Sequence, residues 1–335
     1  MTDYTEDMIA RMTLAVLTDP GDPVTGKLVQ AIGLTETLAL IRDPGAAIPA
    51  QVDPLEGIRW RQEAAARQKD ALADELVSLT ERGGLKLLAP GRAGWPADLS
   101  DLGPSAPLVL WAKGNAELLT SSLTSRVTIT GARAATGYGV HVTHELAEQL
   151  AESPRILLSG GAYGIDAETH RAALAVRSGS TIAVLAGGVD RPYPAAHASL
   201  FRRITDSGGL LLSEVPPGFS PSKDRFVARV RLMAALSGAT VIPEAGSRSG
   251  SLRAAVQAYD LGRRVGAVPG PITSAASSGC HLLLAEGFAE VVTNAGDIEA
   301  MLDPLPGVSR LPPAYQRAAR RAAPDAGRSA GRAAL

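Results

Sequence analysis

The chain has 335 residues, 45% of them hydrophobic and 20% charged, with a formal net charge of −1. This composition is that of a globular protein of two domains, or of one large domain with an appendage, able to bury a sizeable core. The near-neutral balance excludes a global positive field, so any polyanion contact has to be local.

Taken in order, residues 5–42 carry apolar side chains at helical spacing: Ile9, Met12, Val16 and Leu17, then Leu28 and Ile32, then Leu34, Leu38 and Ile41. Asp19-Pro20-Gly21-Asp22-Pro23 is a turn cluster between the first two patterns. A further helical pattern runs from about Pro54 to Glu81 and is broken by Gly83-Gly84. Residues 1–82 are therefore expected to form a small helical (SAM-like) module. Leu85 to Leu88 reads as a short strand, Trp95-Pro96 lies among Pro-rich loops, and Leu108 to Ala112 reads as another strand, ended by Gly114-Asn115.

From Arg126 onward apolar runs alternate with helical patterns. The runs are 127–130, 156–158, 181–185, 210–212, 240–242, 265–268 and 290–292. Continuous apolar strands separated by helices predict a parallel sheet covered on both faces. The expected fold is α/β, an extended Rossmann-like, doubly wound, mainly parallel sheet over residues 83–302, with its core at 126–302. Residues 303–335 form a Pro/Ala/Arg-rich tail with six arginines from Arg310 on against Asp325. It is expected to be disordered; the other reading is an auxiliary polyanion contact. Cys280, the one cysteine, excludes an internal disulfide framework and fits a reducing cytoplasm. No apolar run reaches transmembrane length, and the acidic stretch Met1 to Asp7 lacks the basic start of a signal peptide, so a cytoplasmic location without a membrane partner is expected.

In doubly wound sheets ligands bind beyond the carboxyl ends of the strands. Those ends carry Gly131-Ala132-Arg133, Ser159-Gly160-Gly161-Ala162-Tyr163-Gly164, Gly187-Gly188, Arg248-Ser249-Gly250 and Pro269-Gly270. Glycine turns let a ligand approach bare N–H groups, and a following helix N-terminus favours an anion such as phosphate. The five turns are expected to make one concave shelf carrying Arg133 and Arg248. Asp166 is expected to cap the helix after the second turn, and its pair with His170 to serve capping or the surface rather than catalysis. The segment Lys223 to Arg231 opens a helix whose Arg225, Arg229 and Arg231 lie within one or two turns; it is either a solvated basic face or a phosphate contact beside the shelf. No dinucleotide fingerprint, P-loop, nucleophile elbow or metal-ligand spacing is present, so no catalytic, cofactor or metal residue is assigned.

These motifs resemble the DprA (Smf) family of DNA-processing proteins. The resemblance rests on Ile129 to Arg133, Ser159 to Asp166 with His170-Arg171, Thr181 to Leu185, Tyr193-Pro194, Ser213 to Pro216, Arg225-Phe226 with Arg229 and Arg231, Glu244-Ala245 with Ser249 to Leu252, and Val268 to Gly270. It covers roughly residues 10–302. It implies an extended Rossmann domain that binds single-stranded DNA, forms homodimers and loads RecA recombinase during natural transformation and recombination, with no established enzymatic activity. It places Arg133 in the family's basic pocket and Tyr163 at its second basic position; together with the glycine turns and the arginine helix read above, the expected DNA or phosphate site is Gly131, Arg133, Ser159, Gly160, Gly161, Tyr163, Gly164, Arg225, Arg229, Arg231, Arg248, Ser249 and Gly250. Three positions depart from the family: Tyr163 stands where a basic residue is usual, Val230 where Asn is usual, and Ala254 where Thr is usual. The family's winged-helix domain is not expected here, where only the Arg-rich tail follows the matched region. Tyr163 loses a charge but can stack on a base. Two other readings stay open: a nucleotide-binding or nucleotide-hydrolysing enzyme using Glu244 and Asp166, and an interaction protein that has lost DNA binding.

Overall fold

The structure, a computed structural model, describes residues 4–68 and 72–303. The expectation for the tail falls, Asp303 apart, outside the described residues.

Five helices open the described chain: α1 (Glu6–Leu17), α2 (Pro23–Ile32), α3 (Leu34–Arg42), α4 (Pro54–Ala66) and α5 (Leu72–Arg82). Their starts follow from local chemistry. Asp22 and Asp53 accept the first free N–H groups of α2 and α4, and Pro23 and Pro54 supply the pre-set φ of a first helical residue. The apolar stripes of α1 to α4 meet at Leu14, Leu17, Leu28, Leu40, Ile41, Trp60 and Ala64. The buried Trp60 indole donates to Thr25 Oγ1 at 2.8 Å. The helical pattern expected over 54–81 is split into α4 and α5. Arg67 turns back at the break, donating to Leu17 O at 3.3 Å and pairing with Asp19 at 3.0 Å. This tertiary contact ends the helix where periodicity alone would continue it. The other face of α1 (Met8, Met12, Val16) and Leu76 of α5 pack against the sheet that follows.

That sheet has nine strands: β1 (Lys86–Leu88), β2 (Leu110–Gly114), β3 (Arg126–Ile129), β4 (Ile156–Ser159), β5 (Thr181–Val184), β6 (Leu210–Ser213), β7 (Ala239–Ile242), β8 (Arg264–Ala267) and β9 (Glu290–Val291). The helices between or after them are α6 (Gly137–Glu152), α7 (Ile165–Val176), α8 (Ala198–Asp206), α9 (Lys223–Ala235), α10 (Leu252–Asp260), α11 (Ser278–Ala285) and α12 (Ala295–Leu302). The spatial order is β1-β2-β6-β5-β4-β3-β7-β8-β9. All pairs from β6 to β9 are parallel, and β1–β2 and β2–β6 are antiparallel. Every residue of β3 to β7 is buried, as continuous apolar runs require. One face packs on α6, α7, α12, α8, α1 and α5; the other packs on α9, α10 and α11. The chain thus builds an α/β, mainly parallel, doubly wound sheet with a small helical module before it. Strand order runs outward from β3 in one direction through β6, then resumes on the other side with β7. The switch point therefore lies between β3 and β7, and α9 and α10 flank β7 there.

One buried ion pair ties the helical module to the sheet. Arg231 of α9 donates to Glu214, just after β6, at 2.7 Å, and both side chains are 8% exposed. Glu214 Oε1 also accepts the Gly21 N–H at 3.2 Å, and Arg231 Nε donates to Ser105 O at 2.9 Å. Gly21 has φ +74°, and a Cβ there would meet the Arg231 guanidinium, so only glycine fits the α1–α2 turn. No single helix among the described residues is long and apolar enough to cross a membrane.

Candidate nucleic-acid interface

A cavity of about 730 Å³ opens at the switch point. Its walls are the turn after β3 (Thr130, Gly131, Arg133), the turn after β7 (Arg248, Ser249, Gly250, Ser251) and one stripe of α9. The stripe comprises Lys223, Phe226, Val227, Val230 and Met233, spaced three or four apart as one helix face demands. Five basic side chains line it (Arg133, Lys223, Arg229, Arg248, Arg253) against one carboxylate, Asp166.

Close backbone contacts set this shape. Ala132 N–H donates to Glu244 O at 2.7 Å, and a Cβ on Gly131 would strike that same oxygen, so the two turns meet only because residue 131 is glycine. Gly164, at φ +70°, lets the β4–α7 turn rest on the carbonyls of Ala132 and Arg133. Glu244 accepts from the Thr136 N–H at 2.8 Å and from its hydroxyl at 2.6 Å, fixing the entry to α6. Arg133 is exposed and its guanidinium lies 4.8 Å over the Phe226 ring, a cation–π contact that holds it at the rim.

Arg229 sits deeper. Its side chain is 9% exposed, 4.0 Å from Asp166, and donates to Val184 O at 3.3 Å. Its buried Nε has no hydrogen-bond partner among the described residues. Burial lowers its pKa from the ordinary value, while Asp166 opposes the shift. Asp166 accepts from Thr130 Oγ1 at 2.7 Å and the Ala162 N–H at 3.3 Å. Gly160 leaves room for this pair; a Cβ there would overlap both Arg229 Nη1 and Asp166 Oδ2.

The single five-turn shelf needs correction. Ser159, Gly160 and Gly161 are buried beneath the cavity. The Ser159 hydroxyl donates to Ile129 O at 2.6 Å, stitching β4 to β3. Gly160 O and Gly161 O face His170 Nε2 (2.7 Å) and His197 Nδ1 (3.0 Å). Gly187-Gly188 is covered by the 216–221 loop. Arg231 faces away from the cavity, held in the buried pair with Glu214. Arg225 stays outside the cavity, over Phe219 at 5.1 Å, with its pKa lowered by partial burial and by Arg67 against the opposing charge of Asp19. Tyr163 is exposed beside the cavity. Gly131, Arg133, Arg229, Arg248, Ser249 and Gly250 do line it. Lys223, Phe226 and Arg253 join them; the helical spacing of α9 carried the first two.

Asp166 is not the cap of α7, which begins after Gly164, and neither it nor His170 is on the surface. The wholly buried His170 has its pKa lowered from 6.5 to about 4, chiefly by desolvation. A buried neutral histidine resists protonation that the unfolded chain accepts. Stability from this group is therefore complete above pH 6.5 and is lost as pH falls to about 4, a loss of about 3 kcal/mol for a shift of this size. Denaturant unfolding between pH 4 and 7 is expected to show that slope, and His170→Gln to remove it; an identical slope in the variant contradicts the assignment.

The family model described as DNA recombination-mediator protein A matches residues 86–303. A putative DNA processing protein DprA from Mycobacterium tuberculosis is 50% identical over 245 residues, covering 70% of this chain and 61% of that protein. The chain thus spans about three fifths of that relative's length. DNA processing protein DprA from Streptococcus pneumoniae is 40% identical over 209 residues, covering 62% of this chain and 70% of that protein. The X-ray structure of DprA from Streptococcus pneumoniae superposes with a TM-score of 0.69 at 30% identity over 89% of this chain and 98% of that one. A Helicobacter pylori DNA processing protein A, whose structure concerns its single-stranded DNA binding mode, gives a TM-score of 0.57 at 30% identity over 65% of this chain and 95% of that one. The chain belongs to the DNA recombination-mediator protein A family.

Proposed function

We propose that the chain binds single-stranded DNA across the switch-point cavity and delivers it to RecA recombinase in homologous recombination and natural transformation. It does so in the cytoplasm, as a homodimer, and catalyses no reaction itself. The observation that carries this reading is the cavity's charge: four exposed cations, Arg133, Lys223, Arg248 and Arg253, ring a mouth whose one carboxylate is buried and already bonded. Such an arrangement neutralises phosphates along a backbone without reading sequence. Glu244 and Asp166, the two carboxylates a nucleotide hydrolase would use, are both engaged in holding the turns, which favours binding over hydrolysis.

The test is fluorescence anisotropy with a labelled oligo-dT and a duplex of equal length. Oligo-dT is expected to bind at least about ten-fold tighter, because the aromatic groups beside the cavity can stack only on unpaired bases. Equal affinities would refute single-strand preference, and release of free base from nucleoside monophosphates would point to the hydrolase.

A further inference from the structure

Two tyrosines stand beside the cavity with half of their surface open. Tyr163 is 50% exposed and Tyr193 is 52% exposed. Both orientations are set by the fold. Tyr163 meets His197 in a T-shaped contact, centroids 4.7 Å apart, and His197 is itself anchored to Gly161 O. Tyr193 meets Phe226 in a T-shaped contact at 6.2 Å, and the Phe226 ring carries Arg133 at 4.8 Å. The two tyrosines flank one turn: Tyr163 lies two residues past Gly161, and the Tyr193 carbonyl sits 3.0 Å from where a Gly161 Cβ would be. Arg191, two residues before Tyr193, is 79% exposed, with Asp190 at 3.7 Å.

Ring contacts run from the cavity rim at Arg133 through Phe226 to Tyr193, and Tyr163 stands on the Gly161 turn that the Tyr193 backbone touches. The rings are pre-oriented by T-shaped contacts, and the exposed cations Arg133 and Arg191 belong to the same segments. Phosphates have little to gain from a tyrosine ring, whereas an unpaired base gains a stacking partner at low ordering cost. A duplex hides its base faces and gains nothing. We propose that Tyr163 and Tyr193 form a base-stacking track continuous with the cavity, holding unpaired bases of a strand whose phosphates lie at Arg133 and Arg191. The proposal rests on the single-strand reading above and adds to it a subsite that recognises bases rather than backbone.

The test compares oligo-dT with an abasic strand of the same length and phosphate count, on the whole chain. The unmodified protein is expected to bind the abasic strand at least about ten-fold more weakly. Tyr163→Ala and Tyr193→Ala are each expected to weaken oligo-dT binding about ten-fold, to leave abasic binding and the salt slope unchanged, and to be rescued by Tyr→Phe. Both side chains are exposed, and the Phe variants control for folding. Equal binding of the two strands, with sensitivity to Arg133→Ala retained, overturns the track and leaves the cavity reading standing. Unchanged oligo-dT affinity in both alanine variants also overturns it. Failure of both strands to bind overturns the single-strand reading and the track together.

Discussion

Replacing Glu214 by alanine is expected to destabilise the chain by about 3–5 kcal/mol, the usual cost of removing one partner from a buried ion pair. Arg231 would keep its charge in a site where only 8% of the side chain meets solvent. Its bonds to Ser105 O and Ala228 O would remain, but those carbonyls cannot neutralise a guanidinium. The Gly21 N–H would lose its acceptor at the same time, so the α1–α2 turn would come loose from α9. Glu214→Gln keeps an acceptor for Gly21 and is expected to cost less than the alanine. Urea unfolding of the three proteins measures both differences. A loss below about 1 kcal/mol for Glu214→Ala would mean that the pair contributes no more than a surface bridge.

Gly160→Ala is expected to damage the site more than any change at its exposed rim. Backbone strain is not the reason, since Gly160 is not among the glycines at positive φ. The added methyl overlaps Arg229 Nη1 and Asp166 Oδ2, two buried groups that hold each other in place. Overpacking of this kind costs about 1–3 kcal/mol. The displaced Arg229 also ceases to line the cavity. Oligo-dT affinity is expected to fall about ten-fold or more, the weight of one charge-assisted hydrogen bond. Thermal unfolding and anisotropy on the same preparation check the two effects. Unchanged affinity in a folded variant would remove Arg229 from the DNA site.

The sheet was legible in the sequence because buried parallel strands leave continuous apolar runs, and β3 to β8 coincide with such runs to within a residue or two. The position of β1 and β2 was not legible. Their antiparallel pairing beside β6 depends on long-range register that no local pattern encodes. The break between α4 and α5 was likewise invisible, since Arg67 is drawn off by partners 48 and 50 residues away. At the site, Arg133 and Arg248 could be placed from the strand ends alone. Helical phase alone does not separate Arg231 from Arg229, since each lies one step, about 100°, to either side of Val230; their partners, Glu214 and Asp166, decide which one meets the cavity. Ser159, Gly160 and Gly161 misled because a glycine turn reads the same whether its backbone faces a ligand or two buried histidines. The departures Val230 and Ala254 both line the cavity, while Tyr163 stands outside it.

The most direct measurement is the affinity for oligo-dT across a salt series, run on the unmodified chain and on Arg133→Ala. Each phosphate neutralised on a single strand contributes about −0.7 to the slope of log affinity against log salt. A cavity ringed by four exposed cations predicts steep salt dependence, weaker binding in the variant at every salt concentration, and a slope shallower by about 0.7. Binding whose strength and salt slope are the same in both proteins would place the DNA elsewhere on the molecule and contradict the assignment of the switch-point cavity.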